Sequence, residues 1–164
     1  MVSTIQNKGR PAEILLVEDN YGDALLTRKA FKTAKIISNI TIAIDGEQAL
    51  AMLRRVPPYT MAPIPDVILL DLNLPKKNGH EVLQEIKSNE RLKRIPVIIL
   101  TSSLAEKDVV KSYELHANCY IVKPVDPQEF IEIAKMIERF WFNIVVLPDN
   151  EKIVDSRNTD LALG

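Results

Sequence analysis

Short apolar runs separated by segments of helical period constrain this chain more than any other feature. Residues 14–17, 67–70, 97–100 and 120–122 are runs of Ile, Leu and Val almost unbroken by polar groups, and residues 40–44 alternate in the manner of a half-buried strand. Runs of four or five residues, apolar on both sides, suit parallel strands covered by helices on each face. Between them, 23–34 places Ala24, Leu25, Ala30 and Phe31 on one stripe, 47–56 places Ala49, Leu50 and Leu53, and 80–88 places Val82, Leu83 and Ile86. Segments 106–116 and 128–142 behave alike, the last with Phe130, Ile133, Ala134, Ile137 and Trp141. Asn20, Asp45-Gly46, Asn78-Gly79, Ser103 and Asp126-Pro127 supply capping or turn chemistry at the helix starts. The order is strand then helix, five times over. It predicts an α/β fold: one doubly wound, five-stranded parallel sheet flanked by five helices, with ligands beyond the carboxyl ends of the strands.

Composition removes several classes of function. With 46% apolar and 26% charged residues among 164, the chain reads as one globular domain. A net charge of −1 gives no electrostatic case for nucleic acid or an anionic membrane. The five glycines, Gly9, Gly22, Gly46, Gly79 and Gly164, are too scattered for a phosphate-cradling loop. A single cysteine, Cys119, fits a reducing cytoplasm, and His80 and His116 lack metal-ligand spacing. The first eleven residues are not those of a signal peptide, and no apolar run is long enough to span a bilayer.

Two segments stand outside the alternation. Residues 56–65 carry Pro57, Pro58, Pro63 and Pro65, which predicts a stiff surface loop before the third strand. Residues 143–164 begin with Ile144-Val145-Val146-Leu147-Pro148 and then turn polar. The chain therefore divides into a flexible segment 1–11, a domain 12–142 and an extension 143–164.

Chemistry emerges where acidic residues meet strand ends. Glu18 and Asp19 follow the first strand and Asp71 follows the third, so all three belong to one edge of the sheet. Taken singly, a strand-end acid is ordinary helix-capping chemistry. Converging carboxylates repel unless a cation joins them, and a hard divalent ion with oxygen ligands, Mg2+, suits them. Thr101 ends the fourth strand and Lys123 the fifth, adding a hydroxyl and an ammonium. An ion pair and an unremarkable threonine would explain each alone. As a set they suit a carboxylate that receives a phosphoryl group, whose oxygens the lysine and threonine would meet.

These residues lie in motifs that resemble the receiver domain of bacterial and archaeal two-component response regulators. They are Leu16-Val17-Glu18-Asp19-Asn20, Asp45-Gly46-Glu47-Gln48-Ala49-Leu50, the stretch from Leu69-Leu70-Asp71 through Lys76-Lys77-Asn78-Gly79, Pro96-Val97-Ile98-Ile99-Leu100-Thr101 and Tyr120-Ile121-Val122-Lys123-Pro124. The resemblance covers about 12–142 and implies the flavodoxin-like, CheY-like arrangement. It also implies that Asp71 is the phosphoacceptor for a sensor histidine kinase. Glu18, Asp19, Asp71 and the carbonyl of Asn73 would hold Mg2+, Thr101 and Lys123 would bind the phosphoryl group, and Thr101 and Tyr120 would form a switch pair. A cis Lys123-Pro124 bond would aim the lysine. Without the resemblance, Tyr120 reads as a half-buried strand aromatic. Glu18 departs from the pattern of many receivers, which place Asp there, and the proline loop is longer than in compact ones.

The loop, Tyr113-Glu114-Leu115-His116-Ala117-Asn118-Cys119-Tyr120 and the Phe140-Trp141-Phe142 ending resemble single-domain regulators that serve phytochrome-type histidine kinases. With residues 143–164 after that ending, no DNA-binding output domain is expected to follow. The expected activity is that of a non-enzymatic regulator signalling through protein contacts. Two alternatives are a phosphorelay intermediate that passes the group to a histidine phosphotransfer protein and an unphosphorylated scaffold. A phosphatase of the aspartyl-phosphate type would need a second Asp where Asn73 stands. A flavodoxin-like electron carrier would need a hydroxyl-rich loop where Glu18 and Asp19 would repel a phosphate. Consecutive Phe140, Trp141 and Phe142 cannot all face their own core, and with Ile144 and Val145 they suggest a homodimer surface; the alternative is a tail folded back over the domain.

Overall fold

A computed structural model describes residues 10–142 of the chain. Five parallel strands, β1 (Ala12–Val17), β2 (Ser38–Ala43), β3 (Val67–Leu70), β4 (Val97–Thr101) and β5 (Cys119–Val122), form one sheet in the order β2-β1-β3-β4-β5. Helices α1 (Tyr21–Thr33), α2 (Gly46–Arg54), α3 (Gly79–Ser88), α4 (Glu106–Glu114) and α5 (Pro127–Ile137) alternate with them. The doubly wound sheet predicted from the apolar runs is therefore present. Its order reverses between β1 and β3, which opens a crevice at their carboxyl ends.

Burial follows strand position. β3 and β4 are buried throughout, whereas the edge strands β2 and β5 are largely half-buried because each has one neighbour. Alternate side chains divide the core between the two faces. Leu15, Val17, Ile68, Leu70, Val97 and Ile99 pack with α2 and α3, while Ile14, Leu16, Val67, Leu69 and Ile98 pack with α1 and α5. Among the described residues no helix is long and apolar enough to cross a membrane.

Local chemistry explains the helix starts. Asn20, Asp45, Asn78 and Asp126 each accept a backbone N–H of the following helix, and Asn78 forms a reciprocal capping box with Glu81. Ser103 is not a cap: α4 starts after Ala105, and the Ser103 hydroxyl donates to Asp108 Oδ2 at 2.6 Å. The apolar period through 142 also changes character, because α5 ends at Ile137 and widens into a π-helical turn, Glu138–Phe142. The wider turn separates the consecutive aromatics. Trp141 packs against the α1/α5 core, Phe140 stays 48% exposed, and the two rings meet edge to face at 5.5 Å. Ile144 and Val145 lie outside the described residues.

The proline loop turns twice, with Tyr59 N–H on the Val56 carbonyl and Ala62 N–H on the Tyr59 carbonyl. The cis peptide bond found among the described residues is Pro57–Pro58. The expected cis Lys123–Pro124 bond is absent. The trans connection already delivers the Lys123 ammonium to the carboxylates across the sheet edge, so no cis bond is needed to aim it.

Candidate functional site

Strand polarity brings the carboxylates together. β1 and β3 are parallel neighbours in register from Ile14 with Val67 to Val17 with Leu70, so the residues that follow, Glu18 and Asp71, emerge side by side. One carboxylate oxygen each from Glu18, Asp19 and Asp71 lie within 4.8 Å of one another. Glu18 and Asp71 are 3% and 4% exposed, while Asp19 faces solvent.

Lys123, beyond β5, reaches into this cluster. Its ammonium lies 2.7 Å from Glu18 Oε2, 2.8 Å from Asp71 Oδ2 and 2.9 Å from Asp23 Oδ2, and the lysine side chain is only 8% exposed. Asp23 escaped the sequence reading, which placed it only within a helix. The available signal was its position three residues after the Asn20 cap, in the first turn of a helix starting at the acidic edge. Glu18 Oε1 accepts the Asn20 amide at 3.0 Å, and Asp71 Oδ1 accepts the Asn73 amide at 3.2 Å.

Two buried carboxyls this close do not share ionisation equally. Burial raises Glu18 to about 7, against the opposing pull of Lys123, and the neighbouring Asp71 charge pushes it further. Burial pushes Asp71 up as well, but the Lys123 hydrogen bond and charge outweigh it, aided by hydrogen bonds from Thr101 and Glu18. Asp71 therefore stays below its ordinary value and keeps its charge. Lys123 loses from burial but gains more from Asp71, Glu18 and Asp23, so it remains an ammonium.

The donor set fits a hard divalent cation: three carboxylates with the oxygen chemistry such ions prefer, on a partly open edge. Lys123 supplies positive charge to the same oxygens and is the natural competitor for them. Thr101 is fully buried at the end of β4, where its hydroxyl accepts the Ser103 amide at 3.4 Å and helps to hold the Asp71 carboxyl below its ordinary value. Tyr120 stands half-buried on β5, its hydroxyl donating to the Ser103 carbonyl at 3.0 Å in the β4–α4 connection. Glu18, Asp19, Asp71, Thr101 and Lys123 thus converge as the sequence suggested; Asn73 borders them, and Tyr120 touches the adjoining loop.

The support beneath Asp71 is steric. Gly79 opens α3 against the strand end, where a Cβ would lie 2.3 Å from the Asp71 carbonyl oxygen and 2.5 Å from Leu72 Cα. Only glycine permits that approach. Lys76 turns the same loop with a φ of 65° and pairs with Asp45 at 3.4 Å.

Residues 14–135 match the model of the response regulator receiver domain family. The chain is 49% identical over 138 residues to the response regulator Rcp1 of Synechocystis sp., covering 84% of this chain and 94% of that protein. Among solved structures it resembles the phosphorylated cyanobacterial phytochrome response regulator RcpA, with a TM-score of 0.81 and 46% identity over 85% of this chain and 99% of that one. Rcp1 in its Mn2+-bound form aligns with a TM-score of 0.79 and 48% identity, covering 85% of this chain and all of that one. Fold, acidic edge and sequence likeness agree: the chain belongs to the response regulator receiver domain family.

Proposed function

We propose that Asp71 accepts a phosphoryl group from the phosphohistidine of a sensor kinase, a phytochrome-type kinase being the natural donor given the Rcp1 and RcpA likeness. One observation carries this reading. The Asp71 carboxylate keeps its charge and is met by the Lys123 ammonium at 2.8 Å, beside the buried Thr101, groups suited to the oxygens of an arriving phosphoryl. In the transfer, an Asp71 oxygen forms the new O–P bond as the N–P bond of the donor breaks. The electron pair of that bond stays with the imidazole nitrogen, which takes up a proton. Glu18, Asp19, Asp71 and the carbonyl of Asn73 would hold Mg2+, whose charge offsets that of the phosphoryl oxygens.

The phosphoryl group adds nearly two negative charges to a pocket that is already acidic. Thr101 and Lys123 meet that charge by moving toward it. The space Thr101 leaves lets the Tyr120 ring turn inward, breaking its bond to the Ser103 carbonyl and reshaping the α4–β5–α5 surface for a partner. Residues 12–142 form the receiver, acting in the cytoplasm through contacts and not through turnover of a substrate. The exposed Phe140 ring at the end of α5 marks a homodimer surface. Acetyl phosphate with Mg2+ should add one phosphoryl group to the intact mass of the protein, and Asp71→Asn should abolish the adduct. An adduct that persists in that variant contradicts the assignment.

A further inference from the structure

The proline loop takes no part in the acidic site; it lies at the other edge of the sheet, where β3 and β4 begin. With the end of α2 and the α3–β4 connection it encloses a cavity of about 310 Å³. That size is at the lower end of the range for small-molecule sites, roughly 300–1,000 Å³. Its floor is apolar, built from Leu53, Ile64, Leu92 and Ile95. Arginine supplies the charge, from Arg54, Arg55 and Arg91, and among the described residues no acidic side chain lines it.

These arginines are not equally committed. Arg54 pairs with Glu85 at 2.9 Å. Arg55 closes α2 in a left-handed conformation, φ 54°, where its Nε donates to the Ala62 carbonyl at 2.8 Å and ties the proline loop down. That bond leaves the terminal nitrogens of Arg55 without a partner among the described residues. Arg91 is exposed and makes no side-chain hydrogen bond or ion pair there, and the adjacent Glu90 is taken by Lys93 at 2.8 Å. Two uncompensated guanidinium groups therefore flank an apolar floor. Planar guanidinium forks suit carboxylates, and an apolar floor gains by covering an apolar body.

We propose that this pocket binds a small organic anion, an apolar body bearing a carboxylate, on the sheet edge opposite Asp71. The test is a titration of the ¹⁵N-labelled full chain with decanoate below its micellar concentration, followed by amide shifts. Decanol and inorganic phosphate serve as separate arms. Decanoate should shift the amides of Leu53, Ile64 and Ile95 saturably, and each control should bind about tenfold more weakly or worse, as loss of a charge-assisted contact or of apolar burial requires. Arg91→Ala, an exposed substitution that spares the core, should weaken decanoate by about tenfold and leave decanol unchanged. Labelling by acetyl phosphate should be the same in Arg91→Ala as in the parent, which separates this site from the acidic one. Absence of saturable shifts at those amides, equal binding of decanol or phosphate, or an Arg91→Ala variant that binds decanoate as the parent does would each overturn the proposal.

Discussion

Lys123 is the residue on which the acidic edge depends. Its ammonium touches three carboxylates and is nearly buried, so truncation leaves Glu18 and Asp71 facing one another without a cation. Removing one partner of a buried ion pair costs about 3–5 kcal/mol. Lys123→Ala in chelator at pH 8 should show that loss in urea unfolding. A divalent metal should then stabilise the variant more than the parent, because its competitor is gone; an equal metal effect in both proteins would count against that competition. Glu18 gives the site its pH dependence. Its value in the fold, about 7, lies above the ordinary 4.5, so its contribution to stability is complete below 4.5 and is lost as pH rises through 7. Metal binding runs the other way, since the ligand must lose its proton. Affinity for Mg2+ should fall by about tenfold per pH unit below 7, as release of one proton requires. Calorimetric titrations at pH 6 and pH 8 check this, and equal affinities at both would refute the raised Glu18.

At the scale of elements, Gly79 ties a helix to a strand end. Gly79→Ala forces a methyl group against the Asp71 carbonyl, and such overpacking costs about 1–3 kcal/mol. The variant should unfold at lower urea and accept phosphoryl groups from acetyl phosphate more slowly; unchanged stability and rate would mean that the loop simply yields. The strands were legible because apolar runs with two covered faces have few other homes, and Asn20, Asp45, Asn78 and Asp126 were legible because their side chains cap backbone amides locally. Ser103 misled because a serine before a helix has competing partners, and here Asp108 takes its hydroxyl. Asp23 was missed because its role is set by Lys123, a hundred residues away in sequence. The end of α5 was misjudged because apolar periodicity does not distinguish an α-turn from the wider π-helical turn that places Phe140 outside.

For the whole molecule, the two edges of one sheet have opposite characters. The carboxyl edge gathers Glu18, Asp19, Asp23 and Asp71, and the amino edge gathers Arg54, Arg55 and Arg91 around an apolar pocket. A net charge of −1 conceals both. The exposed Phe140 ring marks a third surface, at the end of α5, where association of two copies is expected. Sedimentation at micromolar concentration should give a dimer, and Phe140→Glu should give a monomer; a parent that sediments as a monomer with and without acetyl phosphate would exclude that surface as a dimer contact. On the proposed reading Asp71, and no other carboxyl of the edge, should carry the phosphoryl group. Borohydride reduction of the protein treated with acetyl phosphate and Mg2+, followed by peptide mass mapping, tests it most directly, because reduction of an acyl phosphate on Asp leaves homoserine. Homoserine is expected at position 71, whereas reduction at Glu18, Asp19 or Asp23, or at no carboxyl at all, would rule out Asp71 as the acceptor.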